Sequence, residues 1–462
     1  MQELAPILAG SNPWWSDPRA RARPAGLVER PELHTLLADF VELGWPQRAH
    51  ALIGPRQVGK TSIARQVIDH HLDAGWPAGR VLYFDFSSSL LTSAVTIETV
   101  LEQIKPGTGP RLVVFDEVTH APRWSQALKE LVDLVRRGPP HGDDRVLVLD
   151  SSAAALRGGA IDDLEGRVVE HRIEGLDYVS FLKRLLLPEE TIEALRARLP
   201  DPLGYYLARG GLPGVSEIND VQRARELIRS DLVDVAIRRD VAEGGRDAVR
   251  IQRLFTYLVR ASGSQVKSTE VARDLLADGG EATLDPRTVD AWIGLLVKAG
   301  LLHRLEPWTR PRAKQKAKAQ LASVPKLYAF DPGLVTALDP NPRPLDRPGV
   351  LGSVYESAVY RHLRRLRVKG MVAEIGFLRR KDRDEIDFVL DDGEKSVGIE
   401  VTSSIEPGKK TAEALELAEE FGISRVLVIH GGRKRVERGA ATEIGLEEFL
   451  MDPRSRVEEA FR

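Results

Sequence analysis

Residues 49–72 read AHALIGPRQVGKTSIARQVIDHHL: an apolar run, a loop fitting G-x-x-x-x-G-K-[ST], and a stretch that continues as helix. No other feature limits the fold so tightly. The loop is useful only where a buried strand hands it to the first turn of a helix, because backbone N–H groups and the helix N-terminus then surround phosphate oxygens. In that geometry Gly54, Pro55, Arg56, Gln57, Val58, Gly59, Lys60, Thr61 and Ser62 form the cradle. Lys60 reaches the β and γ phosphates of a nucleotide, and Thr61 binds Mg²⁺.

The neighbouring sequence supports the same unit. RVLYFDF, RLVVFDE and RVLVLD are short continuous apolar runs separated by helical stretches, the pattern of a parallel sheet covered on both faces. RLVVFDEV delivers Asp116 and Glu117 to the C-terminal end of its strand, where ligands of open parallel sheets bind. Asp116 is expected to hold the Mg²⁺ shell, and Glu117 to polarise an attacking water as general base. RVLVLD ends at Ser151 and Ser152; either serine could sense the nucleotide or orient water, or cap the helix AAALRG. Arg167 follows a glycine in LEGRVVEHRI and reads either as a cation aimed at the γ-phosphate of a bound or neighbouring nucleotide, within its own subunit or across an interface, or as a surface arginine.

The rest of the chain changes texture. Residues 1–30 mix Pro and Arg with Trp14 and Trp15 without a clear period, so this segment is expected to drape over a surface with the tryptophans as anchors. From about Leu176 to Leu258 the chain reads as helical, broken at RGGLPGV. VKSTEVARDLLADGG and LDPRTVDAWIGLLVKAGLL follow as two helices, the second capped by Asp285 with Pro286 at its first position. Two strand-like pieces, LLHRLEPW and KLYAFD, complete the pattern of a winged helix. Between them Arg310, Arg312, Lys314, Lys316, Lys318 and Lys326 lack acidic neighbours and read as a basic wing tip. After the Pro-rich linker DPNPRPLDRPG a last domain opens with the helix SVYESAVYRHLRRLRV.

With 462 residues, several domains are expected. The net charge of -2 excludes a globally basic nucleic-acid binder, and the absence of cysteine excludes thiolate catalysis, disulfides and Cys-based metal sites. A reducing, cytoplasmic home fits, and neither an export signal nor a membrane span is read.

GPRQVGKT, VVFDEVTHAPRWSQALKELVD, SSAAAL with the following EGR, RGGLPGV, IRRD and PKLYAFDPGL together resemble a family of bacterial and archaeal AAA-superfamily ATPases with a C-terminal domain of unknown function. The resemblance covers essentially the whole chain. It implies ATP and Mg²⁺ as ligands and sets Lys60, Thr61, Asp116 and Glu117 on the family's motif positions. It also likens the C-terminal part to a winged helix joined to a PD-(D/E)xK nuclease-like fold. The expected fold is therefore α/β: an AAA-type P-loop NTPase sheet with a helical attachment, a winged helix and a PD-(D/E)xK-like α/β terminal domain. The expected boundaries are 1–30 for an N-terminal extension, 31–175 for the ATPase domain, 176–258 for the helical attachment, 259–338 for the winged helix and 339–462 for the terminal domain.

Two departures from the family pattern stand out. Asp150 precedes Ser151 where a Gly-Ser-Ser sequence is usual, and a carboxylate beside a γ-phosphate is unfavourable unless it points away or binds metal. In DEIDFVLDDGEKSVGIEVTSS, Asp387 and Glu400 are expected to converge across a hairpin, with Glu356 completing a carboxylate cluster for a second metal site. Thr402 stands where the nuclease pattern has lysine, which argues against cleavage unless Lys395 or Lys381 reaches the site. Active nuclease, vestigial metal or DNA site, and structural hairpin stay open.

The run Arg361, His362, Arg364, Arg365, Arg367, Lys369 and the basic wing read as contacts to a DNA duplex or its phosphate backbone, with an ordinary solvated face and a protein-contacting winged helix as the alternatives. The expected function is Mg²⁺-dependent ATP hydrolysis coupling nucleotide state to domain movement on DNA. A nucleotide-dependent switch acting on a protein partner and a metal-dependent nuclease are the alternatives, and a homo-oligomer is an expected partner state.

Overall fold

A computed structural model describes residues 4–23, 29–41, 47–88, 95–104, 109–150, 164, 166–238, 247–277, 284–308, 324–368, 370–380 and 384–462. The chain divides into two compact units, Met1–Glu174 and Gly175–Arg462. No helix among the described residues is long and apolar enough to cross a membrane.

The first unit is built on five strands: β1 (Ala49–Ile53), β2 (Val81–Asp85), β3 (Leu112–Asp116), β4 (Arg145–Asp150) and β5 (Val168–Arg172). All are parallel, in the order β2-β3-β4-β1-β5. The central strands β1, β3 and β4 are buried almost throughout, which is why their sequences are unbroken apolar runs rather than alternating ones. Ala49, Ala51 and Ile53 face a core shared with Val113, Phe115 and Leu128. On the other face of β1, His50 shares a 2.8 Å hydrogen bond with His171 of β5, beside the Phe40 ring.

The N-terminal segment holds more regular structure than its composition indicates. Leu4–Ser11 is a helix, ended by Pro13, with Leu4 and Leu8 buried on one side. Beyond it, Asn12 uses its side-chain amide as a substitute strand: Nδ2 donates to the Tyr83 carbonyl at 2.9 Å, and Oδ1 accepts from the Tyr83 N–H at 2.7 Å. The indoles of Trp14 and Trp15 both donate to the carbonyl of Val81 at 2.9 Å. The segment thus satisfies polar groups along the open edge of β2, which would otherwise template further strand pairing.

The second unit combines helices with two sheets. Strands β6 (Ser264–Gln265), β7 (Leu302–Leu305) and β8 (Lys326–Ala329) form an antiparallel sheet in the order β6-β8-β7. They accompany helices Ala248–Arg260, Ser268–Ala277 and Pro286–Lys298, the last capped by Asp285 as its sequence predicts. Strands β9 (Glu374–Arg379), β10 (Glu385–Asp391), β11 (Ser396–Val401), β12 (Arg425–His430), β13 (Val436–Arg438) and β14 (Ala441–Gly445) form a mixed sheet in the order β13-β14-β12-β11-β10-β9. The 21-residue helix Pro348–Val368 packs against this sheet.

Backbone bonds join the two sheets. Trp308 N–H donates to the carbonyl of Phe377 at 2.7 Å, and Phe377 N–H donates to Glu306 at 3.2 Å. Farther back, the RGGLPGV break meets the FDPGL segment. Asp331 accepts from the N–H groups of Gly211 and Gly333 at 3.0 and 2.9 Å and pairs with the buried Arg361 at 2.8 Å.

Candidate functional site

The phosphate loop lies between β1 and the helix Lys60–Asp73, as its pattern requires. Gly59 has φ 98°, and Gln57 is also left-handed at φ 63°, so the loop turns back on itself before the helix begins. A Cβ at Gly54 would collide with the carbonyl oxygen of Ile173, which explains glycine at the loop's base. Below the loop, the buried Arg30 donates to the carbonyl of Val58 at 2.8 Å and to that of Glu174 at 2.7 Å. Arg30 was not singled out from sequence, and its distance from the loop along the chain leaves no local signal.

Lys60 and Thr61 open the helix, with Ser62 in its first turn. The Lys60 ammonium donates to the carbonyls of Gly54 and Pro55, both at 2.8 Å. Burial pushes its pKa down, opposed by Glu117, Asp116 and Asp150. The Thr61 hydroxyl donates to Asp116 Oδ2 at 2.7 Å, and the Tyr83 hydroxyl donates to the same oxygen at 2.9 Å. Burial raises the Asp116 carboxyl above its ordinary range, the two hydroxyls work against this, and Asp85 and Glu117 add to it. Crowded, partly desolvated carboxylates beside a threonine hydroxyl are oxygen donors suited to Mg²⁺, so the residues fit the ion the loop implies.

Glu117 ends β3 in the left-handed region, at φ 49° and ψ 47°. A non-glycine residue held there is strained by roughly 1–3 kcal/mol, the kind of cost that concentrates at functional positions. The next turn is tied to β4: Asp150 Oδ2 accepts from the Thr119 N–H at 3.2 Å and from its hydroxyl at 2.5 Å. Asp150 therefore has a structural partner in the turn that carries Glu117. Ser151 and Ser152 lie outside the described residues.

Arg167 lies apart from the phosphate loop of its own chain. It precedes β5, whose Val168 pairs with Ala49, whereas the phosphate loop leaves from Ile53, opposite Arg172. Parallel strands put these positions at opposite ends of the sheet. Arg167 pairs instead with Asp133 at 3.0 Å, so it does not face the phosphate loop of its own chain.

The C-terminal carboxylates do gather, in a different set. Glu356, Glu385 and Asp387 bring carboxylate oxygens within 4.8 Å of one another. Asp387 lies where a β-bulge shifts the register between Ile386 and Val389, and Oδ2 accepts from the Val401 N–H at 2.8 Å. Glu400 is on β11 and pairs with Lys410 at 3.2 Å.

Two basic residues meet this cluster: Arg379, paired with Glu385 at 3.1 Å, and Lys326, which sequence assigned to an unbalanced wing. Lys326 is 1% exposed and pairs with Glu356 at 2.9 Å, Asp387 at 3.3 Å and Glu385. The Tyr328 hydroxyl also donates to Glu356. Glu385 was not singled out from sequence, although its place two before Asp387 on the same strand face is a local signal. Lys326 had no such signal, because its acids follow it by 30 to 61 residues.

Of the two candidate substitutes for the missing nuclease lysine, only Lys395 falls among the described residues. Lys395 donates to the Phe461 carbonyl at 3.1 Å, and Lys381 lies outside the described residues. Thr402 accepts from the Ser404 N–H at 3.2 Å.

The basic run on the helix Pro348–Val368 is mostly an interior feature. Arg361 and His362 are buried, and Arg365 pairs with Asp177 at 3.1 Å. Arg364 and Arg365 are half-buried, and Arg367 is exposed. Lys369 and the segment Arg310, Arg312, Lys314, Lys316, Lys318 lie outside the described residues.

Comparison with known proteins agrees with the first unit's topology. Residues 46–182 match a family described as AAA domain. Residues 201–345 and 351–449 match families described as domains of unknown function, DUF8612 and DUF4143. No curated protein matches the chain.

Among solved structures, the Aeropyrum pernix ORC2 protein in ADPNP-ADP complexes is 13% identical with a TM-score of 0.37, covering 67% of this chain and 91% of that one. The Aeropyrum pernix ORC1 protein in complex with DNA is 16% identical with a TM-score of 0.32, covering 71% and 96%. Thermotoga maritima RuvB is 16% identical with a TM-score of 0.30, covering 63% and 94%. At those scores the three likenesses carry no argument about this chain.

Proposed function

We propose that this chain, which carries an AAA domain ahead of two domains of unknown function, is a Mg²⁺-dependent ATPase that cleaves the β–γ bond of ATP. One observation carries the reading: the phosphate loop brings Lys60 and Thr61 to the head of β3, where the Thr61 hydroxyl meets Asp116 at 2.7 Å beside Glu117. An ion held by Thr61 and Asp116 would supply Lewis-acid charge to the phosphoryl oxygens. Backbone N–H groups from Gly54 to Thr61 cradle the phosphates, and Lys60 neutralises charge on the transferring group. Thr61 and Asp116 hold the ion's shell. Glu117 takes the proton of the attacking water as the bond to the ADP oxygen breaks, and Asp150 acts through Thr119 to position that glutamate.

The test is steady-state ATP hydrolysis with nucleotide binding measured beside it. Lys60→Ala should lose nucleotide affinity. Glu117→Gln should bind ATP yet turn over about 10²–10⁴-fold more slowly. Normal turnover in Glu117→Gln removes Glu117 as the base.

The two helices with the β7–β8 hairpin support reading residues 259–338 as a winged helix. Five cations between Arg310 and Lys318 belong to the segment that joins those strands, and we take them as the contact to a DNA backbone. Binding should weaken steeply with salt, and replacing these five by glutamine should flatten the slope. ATP turnover that stays slow with single-stranded, duplex and branched DNA alike would favour a switch acting on a protein. Nuclease activity is not part of the proposal.

A further inference from the structure

Carboxylates held largely out of solvent need positive charge, and the C-terminal domain has several close together. Glu356, Glu385 and Asp387 share one small volume, and Asp387 reaches across to β11, where it accepts from the N–H of Val401, the residue after Glu400. Glu400 is 3% exposed, and its Oε2 has no hydrogen-bond partner among the described residues. Hard oxygen donors around an unsatisfied, desolvated carboxylate oxygen are the donor set of a divalent cation site.

The PD-(D/E)xK resemblance implies such an ion, and the residues present do not admit it. The Lys326 ammonium already contacts Glu356, Asp387 and Glu385, with the Phe377 ring 5.4 Å away. A divalent ion bound at about 2.0–2.6 Å from these oxygens would have to occupy the same place. The lysine is also held there by its surroundings. It begins β8, the central strand of the small sheet, and that sheet's neighbour segment is bonded to the β9 edge through Trp308 and Phe377.

We propose that Lys326 is the resident cation of this cluster, a protein-borne ammonium in the position of a divalent ion, and that the carboxylates bind a divalent cation only when the ammonium is removed. The inference is independent of the ATPase reading. It gives Lys326 two consequences: it closes the carboxylate cluster to metal, and it locks the small sheet against the C-terminal sheet.

The experiment is a Mn²⁺ titration of nucleotide-free, full-length protein, following the free-ion paramagnetic resonance signal. Wild type should show no Mn²⁺ site that Glu400→Gln removes. Lys326→Met should gain one site, binding at least about tenfold tighter than any in wild type, and Lys326→Met/Glu400→Gln should lose it. A site in wild type that Glu400→Gln abolishes overturns the proposal, and so does a folded Lys326→Met that gains none. If Lys326→Met does not fold, Lys326→Met/Glu356→Gln removes one negative charge along with the positive one and keeps three carboxylates. That variant should also gain the site, and its failure to do so while folded has the same force. The wild-type titration decides against the proposal without any variant of Lys326.

Discussion

Lys60 and Lys326 are both buried lysines whose surroundings drive them in opposite directions. Burial dominates at Lys60 and lowers its pKa. Burial pulls the same way at Lys326, yet Glu356, Asp387 and Glu385 together outweigh it and raise its pKa well above the ordinary lysine range. Arg379 pairs with Glu385 at 3.1 Å, which leaves Glu356 and Asp387 to share the Lys326 ammonium. Burial, with Asp387 adding, pushes Glu356 up to about 7 against the pull of Lys326 and Tyr328. The folded state therefore binds the Glu356 proton more tightly than the unfolded chain, whose carboxyl titrates near 4.5. The associated stability is complete below that value and is lost as pH rises through about 7. Hydrogen exchange of β10 amides should report a second unit that weakens between about pH 5 and 8, by up to about 3 kcal/mol. Glu356→Gln should flatten the dependence; an unchanged slope would assign it to another group.

At the scale of elements, position on a strand decided which residues meet. The β-bulge at Ile386–Val389 sets Asp387 beside the β11 backbone, and a bulge leaves no dependable mark in one sequence. The end of β3 was legible, because four apolar residues followed by Asp-Glu read as a buried strand meeting solvent. Its tether was not. The Thr119–Asp150 bond joins the turn after β3 to the end of β4, across 31 residues. Thr119→Val deletes the hydroxyl and should slow turnover by about tenfold with little change in KM, if this bond positions Glu117. Equal losses in kcat and in thermal stability would mean that the bond only supports the fold. Arg167 shows the converse: a suggestive residue after a glycine is placed by the strand it begins, and β5 begins at the end of the sheet away from the phosphates.

At the scale of the whole molecule, the chain divides into two compact units, with the phosphate loop in the first and the carboxylate cluster in the second. Saturating Mg·ATP should protect β1 to β5 amides from exchange by about 2.7 kcal/mol at a hundred times Kd, through mass action on the folded first unit. Lys60→Ala should abolish that protection, and protection surviving in this variant would place nucleotide elsewhere. The sequence by itself determined the phosphate loop, the apolar strands and the helix caps, since each depends on residues within one turn or one strand of each other. Loop geometry, burial pattern and capping are local requirements that a short run must meet. Only the tertiary structure decided where charges end. It turned the cations of a presumed DNA-binding helix inward to Asp331 and Asp177, and set Lys326 among acids that follow it by 30 to 61 residues. A charged side chain advertises its sign in the sequence, but its partner is set by which distant backbone the fold brings within about 4 Å.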